Sequence, residues 1–265
     1  MAKALNLAMR EALAEDPTTL ILGQDVGQDE GVFRITEGLL AEFGPDRVVD
    51  FPVAESAIAG VSVGLCLAGF KPIAEMQFSG FGYHAFHQIE NHASRFRNRT
   101  RGRFTCPMVV RMPYGGGIRA IEHHSESREA IWAHLPGLKV VIPSGPRNAR
   151  ALLRASIFDP DPVMFYEPKA CYRAFKEEVP EKPETMEIGK ANIVRQGSDV
   201  TIISYGATMR PVLEAAEDLV DEYQIDPEII DLLSLVPMDT ETITASVKKT
   251  GRCVVVHEAP RNCGP

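Results

Sequence analysis

The sequence lacks the features that mark several large classes of protein. It contains no run of about 18 apolar residues, which excludes a helical membrane span. Neither a Walker A pattern nor a GxGxxG pattern is present, so no part of the chain is predicted to cradle a nucleotide phosphate on its own. The 5 cysteines are odd in number and form no CxxC pair, so neither a disulfide framework nor a zinc site is expected.

Positive charge is also in short supply. The formal net charge of −8 argues against a nucleic-acid-binding protein, although one stretch carries an arginine at every second position from Arg95 to Arg103. The first residues, MAKALNLAMREALAEDP, predict an amphipathic helix rather than a secretory signal, which needs an unbroken apolar centre. Together with the unpaired thiols, this pattern predicts a protein of the cytoplasm.

Strand-like apolar runs alternate with helical patterns along the first part of the chain. This alternation predicts an α/β fold with a mostly parallel sheet that is covered on both faces. Between Cys171 and Ile188 the sequence becomes charged and contains prolines, which is typical of an exposed linker. The α/β pattern then restarts. We therefore predict a first domain over residues 1–175, a linker over 176–190 and a smaller α/β domain over 191–265.

Helices are predicted in the first domain at Glu37–Phe43, Ala54–Ala68, Tyr83–Arg97, Ser127–Ala133 and Arg147–Phe158. The second domain is expected to contain three strands and two helices. Its strands are predicted in the runs DVTIISYG, PEIIDLLSLVP and RCVVVHEAP.

Glu55 follows a short apolar segment and opens a helical pattern rich in alanine and glycine. A carboxylate at a helix start meets unpaired N–H groups and the positive end of the helix dipole. Small residues then recur at helical spacing and form one flat face, at Ala57, Gly60, Val61, Gly64 and Ala68. Such a face admits a close partner or a flat ligand, whereas the plainer interpretation is a capped core helix.

His123 and His124 follow a loop of three consecutive glycines. Histidine is the side chain best suited to proton transfer near neutral pH, so the pair is a catalytic candidate; the alternative is a pair of solvated loop histidines. Gln77 and Phe81 lie just past the end of a predicted strand, where α/β sheets bind ligands. Phe81 could stack on a flat ring or belong to the core.

Asp159 and Asp161 lie in the run FDPDPVMF, between a predicted helix and a predicted strand. Turn chemistry explains both residues, because aspartate and proline are frequent turn formers. A bound cation held by carboxylate and carbonyl oxygens is the alternative.

Taken together, these segments resemble the β subunit of the thiamine-diphosphate-dependent 2-oxo acid dehydrogenase first component, a group that includes the pyruvate, branched-chain and acetoin enzymes. The resemblance is nearly collinear and covers almost the whole chain, from LILGQDVG through FGPDRVVDFPVAESAIAG, KPIAEMQF, HHSES, PGLKVVIPS and DPVMFYEPK to KTGRCVVVHEAP. It implies a transketolase-like pyrimidine-binding domain followed by a C-terminal α/β domain. That second domain is expected to be truncated, because the chain ends at Pro265.

The resemblance also implies roles for individual residues. Glu55 matches the acid that hydrogen-bonds the aminopyrimidine ring of the cofactor, and Val53, Gln77 and Phe81 match cofactor-contacting positions. His124 matches a histidine implicated in acyl transfer to the lipoyl group. A structural potassium site of some family members corresponds to Cys106, Met108, Val109, Ser156, Asp159 and Asp161.

The GDG motif that binds magnesium and diphosphate in thiamine enzymes does not occur in the chain. The resemblance therefore implies that an α subunit supplies the Mg²⁺ ligands, in an α2β2 heterotetramer that serves a lipoyl-bearing acyltransferase core. The implied reaction is oxidative decarboxylation of a 2-oxo acid. We expect a pyruvate dehydrogenase, and the alternative is a branched-chain 2-oxo acid or acetoin dehydrogenase.

Several residues depart from the family pattern, and two further interpretations remain open. Gln24 replaces a usual acid, His87 stands where aspartate is frequent, and Glu126 replaces a commoner glutamine. One alternative is a split-chain transketolase-like enzyme that acts on sugar phosphates. The other is a non-catalytic structural subunit that binds the α chain without completing a site.

Overall fold

The computed structural model describes residues 1–265, which form two β-sheets flanked by helices. The strands are β1 Thr19–Gly23, β2 Val48–Asp50, β3 Lys71–Glu75, β4 Val109–Tyr114, β5 Lys139–Val141, β6 Val163–Pro168, β7 Asn192–Arg195, β8 Val200–Ser204, β9 Pro227–Asp231, β10 Ser234–Val236 and β11 Cys253–Val256. The helices are α1 Ala2–Glu15, α2 Leu39–Phe43, α3 Glu55–Leu67, α4 Gly82–Gln88, α5 Phe96–Arg99, α6 Ile121–His124, α7 Glu129–Ala133, α8 Pro146–Ile157, α9 Met209–Tyr223 and α10 Thr240–Thr250.

The first sheet has seven strands in the order β10-β5-β6-β4-β3-β1-β2, and every neighbouring pair except β10 with β5 is parallel. All residues of β1, β4 and β6 are buried. Near-continuous apolar strands are the pattern of a parallel sheet covered on both faces, because side chains on either face then meet a helix. The predicted mostly parallel α/β sheet is present.

Helices cover both faces of this sheet. On one face, α1 and α8 pack together, and Leu5 and Met9 of α1 are fully buried with Leu153 of α8. On the other face, α3 turns Ile58 and Ala59 into the core. These apolar stripes at helical spacing orient the helices and leave the ends of the strands free.

The second sheet has four strands in the order β11-β8-β9-β7, one more than the sequence predicted. The additional strand, β7, pairs antiparallel with β9 at the sheet edge. Its first three residues are exposed, so the sequence showed no burial signal there. The expectation of three strands was therefore wrong.

The run PEIIDLLSLVP forms two strands rather than the single strand predicted. β9 belongs to the second sheet, whereas β10 turns away and pairs with β5 of the first sheet. Leu233 lies at the turn between them with a φ of 55°, and its carbonyl accepts a hydrogen bond of 2.8 Å from the Ile142 N–H. The break between β9 and β10 is not visible in the sequence, because both strands are buried and a buried apolar run has the same pattern in either sheet.

The predicted helix Tyr83–Arg97 is interrupted. Between α4 and α5 the chain forms a π-helical turn over Ile89–Ala93, in which the Ser94 N–H bonds the Ile89 carbonyl at 2.9 Å. The Ser94 hydroxyl donates to the Glu90 carbonyl at 2.7 Å and so competes with the regular helical pattern. Among all the helices, none is both long enough and apolar enough to cross a membrane.

Candidate functional site

The carboxyl ends of five adjacent strands bring the candidate residues to one edge of the first sheet. In spatial order β6, β4, β3, β1 and β2 lie side by side, and all are parallel. Because parallel strands end at the same edge, the segments that follow them meet there. These segments carry Lys169 after β6, His124 after β4, Gln77 and Phe81 after β3, Asp25 after β1, and Val53 and Glu55 after β2.

Glu55 is the first residue of α3 and is 9% exposed. Its carboxylate accepts no hydrogen bond and forms no ion pair with any other residue, although buried carboxylates are normally paired. Val53, two residues earlier, is 74% exposed and presents an apolar surface beside it. Glu55 is thus a largely buried residue whose carboxylate is available to a donor from outside the chain.

Gln77 is held by a neighbouring strand end rather than by the Glu55 segment. Its Nε2 donates to Asp25 Oδ2 at 2.7 Å. Asp25 takes a left-handed φ of 59°, a conformation that aspartate tolerates better than most residues. Asp25 was not identified from the sequence, and its place in the run GQDVG after a buried strand is the signal that could have found it.

Phe78, Phe81 and His124 form an aromatic cluster at the centre of the edge. The Phe78 and His124 ring centroids lie 4.4 Å apart at 69°, and those of Phe81 and His124 lie 5.3 Å apart at 81°. These edge-to-face contacts fix the position of the imidazole without a charged partner. The structure therefore brings together Phe81 and His124, two of the residues predicted from sequence.

The loop that carries His124 is fastened at its base. The Gly115 N–H donates to the Glu126 carbonyl at 3.0 Å, and the Ser79 hydroxyl donates to the same oxygen at 2.8 Å. A Cβ atom at Gly80 would lie only 2.3 Å from the His123 carbonyl oxygen, so glycine is required for this close approach. The turn after β3 and the histidine loop are thus packed backbone to backbone.

Glu126 is oriented by a neighbouring arginine. The hydrogen bond from Arg128 Nε lowers the pKa of the Glu126 carboxyl, with a smaller electrostatic contribution from His123. Arg128 also lies over the Tyr83 ring, with 4.9 Å between the guanidinium carbon and the ring centroid. Glu126 is therefore an ionised group beside the histidines.

A buried ion cluster lies across β3, β4 and β6 below this edge. Arg111 donates from Nη1 to Glu75 at 2.7 Å and from Nε and Nη2 to Glu167 at 2.6 and 3.1 Å. The Tyr172 hydroxyl donates to Glu167 at 2.6 Å. Burial raises the pKa of Glu75, against the attraction of Arg111. Sequence reasoning missed this cluster, although an arginine inside the apolar run PMVVRMP is an available signal.

Lys169 directly follows β6 and is 4% exposed. Its Nζ has no hydrogen-bond partner and lies 5.7 Å from the Phe78 ring centroid. Burial lowers the pKa of this ammonium to about 8, and the charge of Glu258 partly opposes the shift. This residue was also missed, although a lysine at the end of the buried run PVMFYEP is unusual.

The residues predicted for potassium gather at the opposite edge, where β4 and β6 begin. The Met108 carbonyl accepts the Val163 N–H at 3.0 Å, and the Ser156 carbonyl accepts the Asp159 N–H at 3.3 Å. Lys139 Nζ pairs with Asp159 at 2.5 Å, and Arg97 Nε pairs with Asp161 at 2.6 Å. Each carboxylate thus already has a cationic partner, and the potassium assignment stays a prediction.

The Glu55 and Phe81 segments fit the aminopyrimidine part of thiamine diphosphate. A flat heteroaromatic ring with N–H donors requires an acceptor that is not already used within the chain, together with an apolar or aromatic surface. The unpaired carboxylate of Glu55 meets the first requirement, and Val53 and Phe81 meet the second.

The chain matches two domain families in succession. Residues 1–174 match the transketolase pyrimidine binding domain, and residues 189–265 match the transketolase C-terminal domain. The chain is 51% identical to the pyruvate dehydrogenase E1 component subunit beta of Acholeplasma laidlawii, over 100% of this chain and 81% of the relative. It is 48% identical to the 3-methyl-2-oxobutanoate dehydrogenase subunit beta of Mycobacterium tuberculosis, over 100% of this chain and 76% of the relative.

A solved structure titled "Split gene transketolase, inactive beta4 tetramer" superimposes with a TM-score of 0.81 at 24% identity, over 97% of this chain and 79% of that chain. At this identity the likeness concerns the fold. The predicted transketolase-like fold is confirmed, as is the predicted enzyme class. The chain belongs to the family of 2-oxo acid dehydrogenase E1 β subunits, which implies dependence on thiamine diphosphate and an α partner.

Proposed function

We propose that the chain, assembled with an α subunit, catalyses the thiamine-diphosphate-dependent oxidative decarboxylation of pyruvate and passes the acyl group to a lipoyl-bearing protein. The observation that carries this proposal is Glu55, a buried carboxylate without a partner at the ligand-binding edge of a parallel sheet. The family relatives at 49–51% identity named for pyruvate support the choice of substrate.

Glu55 would accept an N–H hydrogen bond from the pyrimidine ring. A carboxylate at this point favours the ring tautomer whose exocyclic nitrogen is able to take up a proton. The residue is only 9% exposed, which reduces competition from water for the acceptor and strengthens the interaction. The role of Glu55 is thus to hold a proton at the ring nitrogen.

Thiamine diphosphate, when bound, supplies the carbon nucleophile and the electron sink for loss of CO2 from a 2-oxo acid. Phe81 would present its ring to the pyrimidine, and Val53 would exclude water from its other side. Gln77 would orient a polar group of the cofactor, because its amide is already fixed by Asp25 at 2.7 Å. These three residues bind and orient and take no proton.

We assign His124 to proton transfer during acyl delivery to the lipoyl disulfide. This disulfide takes up two electrons, one of its sulfurs takes the acyl group, and the other leaves and needs a proton. Its ring is positioned by Phe78 and Phe81, and the residue is half-buried in the histidine loop. Histidine near neutral pH is able to donate the proton that the leaving sulfur takes up.

The α subunit completes the site in this proposal. It would hold Mg²⁺ and the diphosphate, within an α2β2 heterotetramer that docks on a lipoyl-bearing acyltransferase core. The small-residue face of α3 supports such an interface, since Ala57, Val61 and Gly64 are exposed and no atom lies within 4 Å of a Cβ built at Gly64. Flat faces of this kind allow close approach of a second helix.

A potassium ion at the amino edge belongs to the same proposal. Occupancy would require Asp159 and Asp161 to release Lys139 and Arg97. Thermal unfolding of the assembled protein in potassium and in sodium tests this, because an ion that binds only the folded state raises the melting temperature. Equal melting temperatures in the two salts would contradict the site.

A branched-chain 2-oxo acid is the second candidate substrate. The 48% identity to a 3-methyl-2-oxobutanoate dehydrogenase β subunit, close to that of the pyruvate relatives, is the observation in its favour. Release of CO2 from pyruvate and from 3-methyl-2-oxobutanoate by the assembled α and β chains separates the two. We expect a higher kcat/KM for pyruvate, and a higher value for the branched acid would reverse the assignment.

Titration of thiamine diphosphate into the assembled complex tests the role of Glu55 by binding rather than by turnover. We expect Glu55→Gln to weaken the cofactor by about tenfold or more, the usual effect of losing a charged hydrogen bond. Glu178→Gln, which changes an exposed acid without a partner, is the matched control. An unchanged cofactor affinity in Glu55→Gln would contradict the assignment.

A further inference from the structure

Lys169 is a buried cation that has no role in the proposed chemistry. Its side chain is 4% exposed and its Nζ forms no hydrogen bond. Burial of an ammonium without a partner is unfavourable, so such groups in folded proteins are normally paired or meet a ligand. The position at the carboxyl end of β6 places the unpaired amine at the same edge as Glu55 and His124.

The surroundings of Lys169 connect it to the aromatic cluster. Its Nζ lies 5.7 Å from the Phe78 ring centroid, and the Phe78 ring contacts His124 at 4.4 Å. Gly117 of the histidine loop lies over the next residue, since a Cβ at Gly117 would be 3.1 Å from Ala170 Cβ. Lys169 thus lies beneath the loop that carries the histidines.

The chain offers Lys169 no stable counter-ion. Glu258 is the acid whose charge acts on Lys169. Its Oε2, however, accepts the Gly116 N–H at 3.2 Å, and no ion pair forms between the two side chains. The ammonium therefore has no anionic hydrogen-bond partner within the chain.

We propose that Lys169 binds the carboxylate of the 2-oxo acid substrate. One ammonium among apolar and aromatic groups matches one carboxylate, whereas a diphosphate carries more charge than a single lysine neutralises. The inference rests on the proposed function, because it needs a 2-oxo acid at this edge. Lys169 thereby joins the cofactor-binding and proton-transfer groups of this site as a substrate-binding residue.

Loss of the Lys169 charge should change one kinetic parameter and spare the other. The carboxylate is present in the bound substrate and is lost as CO2, so its ion pair with Lys169 strengthens substrate binding more than the transition state. Removal of the charge should raise KM and leave kcat undiminished. A residue with only a structural role would lower kcat as well.

The test uses the complex of α and β chains with thiamine diphosphate and Mg²⁺, and compares Lys169→Met with the wild type. Calorimetric titration measures binding of methyl acetylphosphonate, a pyruvate analogue whose anionic group cannot leave, and of butane-2,3-dione, a neutral analogue of similar size. We expect the variant to bind the anionic analogue about 10- to 100-fold more weakly and the neutral analogue equally well. Lys176→Met, at an exposed lysine, is the matched control.

Three results would overturn the inference. Unchanged affinity of Lys169→Met for the anionic analogue would show that no ion pair with the substrate exists. An equal loss of affinity for both analogues would indicate that Lys169 has only a packing role. In either case normal cofactor binding leaves the proposed function intact. A wild-type complex that fails to bind thiamine diphosphate would instead overturn the proposed function and this inference with it.

Discussion

Arg111 and Arg150 are the two largest fully buried side chains in the molecule, and Arg111 joins three neighbouring strands through charge. Its guanidinium uses its planar geometry to bond Glu167 with two nitrogens and Glu75 with a third. Burial raises the pKa of Glu75. The charge of Glu167 adds to this increase, because one guanidinium faces two carboxylates. The site edge therefore rests on an ion cluster whose members depend on one another.

Arg111→Met should destabilise the chain strongly. The substitution leaves Glu75 and Glu167 buried without a cation, which costs about 3–5 kcal/mol in comparable cases. Urea unfolding of the purified chain measures this. Arg97→Met, which breaks a largely exposed pair with Asp161, is the control and should cost less than about 1 kcal/mol. Equal losses in the two variants would contradict the buried role of Arg111.

Lys169→Met should stabilise the folded chain near neutral pH, whereas Arg111→Met destabilises it. The pKa of Lys169 in the folded chain is about 8, below its usual 10.5, so the folded chain binds this proton less tightly than the unfolded chain. The cost of the buried charge is fully present below pH 8 and is relieved as the pH rises toward 10.5. We expect the substitution to raise the unfolding free energy by about 1–3 kcal/mol at neutral pH.

Urea unfolding across the alkaline range checks this sign. The advantage of Lys169→Met over the wild type should shrink as the pH rises from about 7 to about 10. An advantage that does not vary with pH would mean that the methionine only packs better. A loss of stability at neutral pH would show that the ammonium has a partner in the folded chain.

At the scale of elements, the close contact between the turn after β3 and the histidine loop positions His124. Gly80→Ala would place a Cβ 2.3 Å from the His123 carbonyl, so one of the two segments must move. Because small displacements of catalytic groups are costly, we expect acyl transfer to lipoyl-protein to fall about tenfold or more.

Gly116→Ala is the control for this substitution. Gly116 lies in the histidine loop, on the other side of this contact, and its Cβ would meet only Glu258 at an ordinary 3.9 Å. Near-normal acyl transfer is therefore expected in Gly116→Ala. Equal activity in the two variants would show that Gly80 does not set the position of the loop.

Elements defined by local pattern were predicted well from the sequence. The small-residue helix predicted at Ala54–Ala68 is α3, Glu55–Leu67, and the helix predicted at Arg147–Phe158 is α8, Pro146–Ile157. Both have apolar residues at helical spacing and clear ends. The errors arose where tertiary contacts determine the secondary structure. One example is β10, which forms by pairing with β5 at the edge of the first sheet.

The site was predicted less completely than the fold. Glu55, Phe81 and His124 lie in motifs that follow strands, and the structure places all three at one edge. Lys169 and Arg111 were missed although each lies in or directly after an apolar run, because such a run indicates burial and does not identify the partners of the charged residue. Their importance depends on which neighbours the parallel strand order supplies.

At the scale of the whole molecule, the two sheets are joined by more than the chain between them. β10 extends the first sheet after the chain has already contributed β7 to β9 of the second. The Tyr205 hydroxyl also donates to the buried Glu129 carboxylate of α7 at 2.9 Å. The two sheets are therefore coupled through buried contacts on the site side of the molecule.

The exposed small-residue face of α3 should be an assembly surface. Gly64→Trp adds a large side chain where a built Cβ meets no atom, so the isolated chain should fold normally. We expect assembly with the α chain to weaken by at least about tenfold, because bulk at the centre of an interface prevents close packing.

Sedimentation of the mixed chains, with circular dichroism of the isolated variant, measures this effect. Glu222→Trp, at an exposed position of α9, is the control and should assemble normally. Normal assembly of Gly64→Trp would place the α subunit on another face.

The most direct test of the account is CO2 release from pyruvate by the assembled complex, with and without thiamine diphosphate, for the wild type and Glu55→Gln. We expect release that depends on the cofactor in the wild type and is reduced by about 100-fold or more in the variant, since Glu55 holds the proton on the pyrimidine. Full activity in a folded, cofactor-bound Glu55→Gln complex would contradict it.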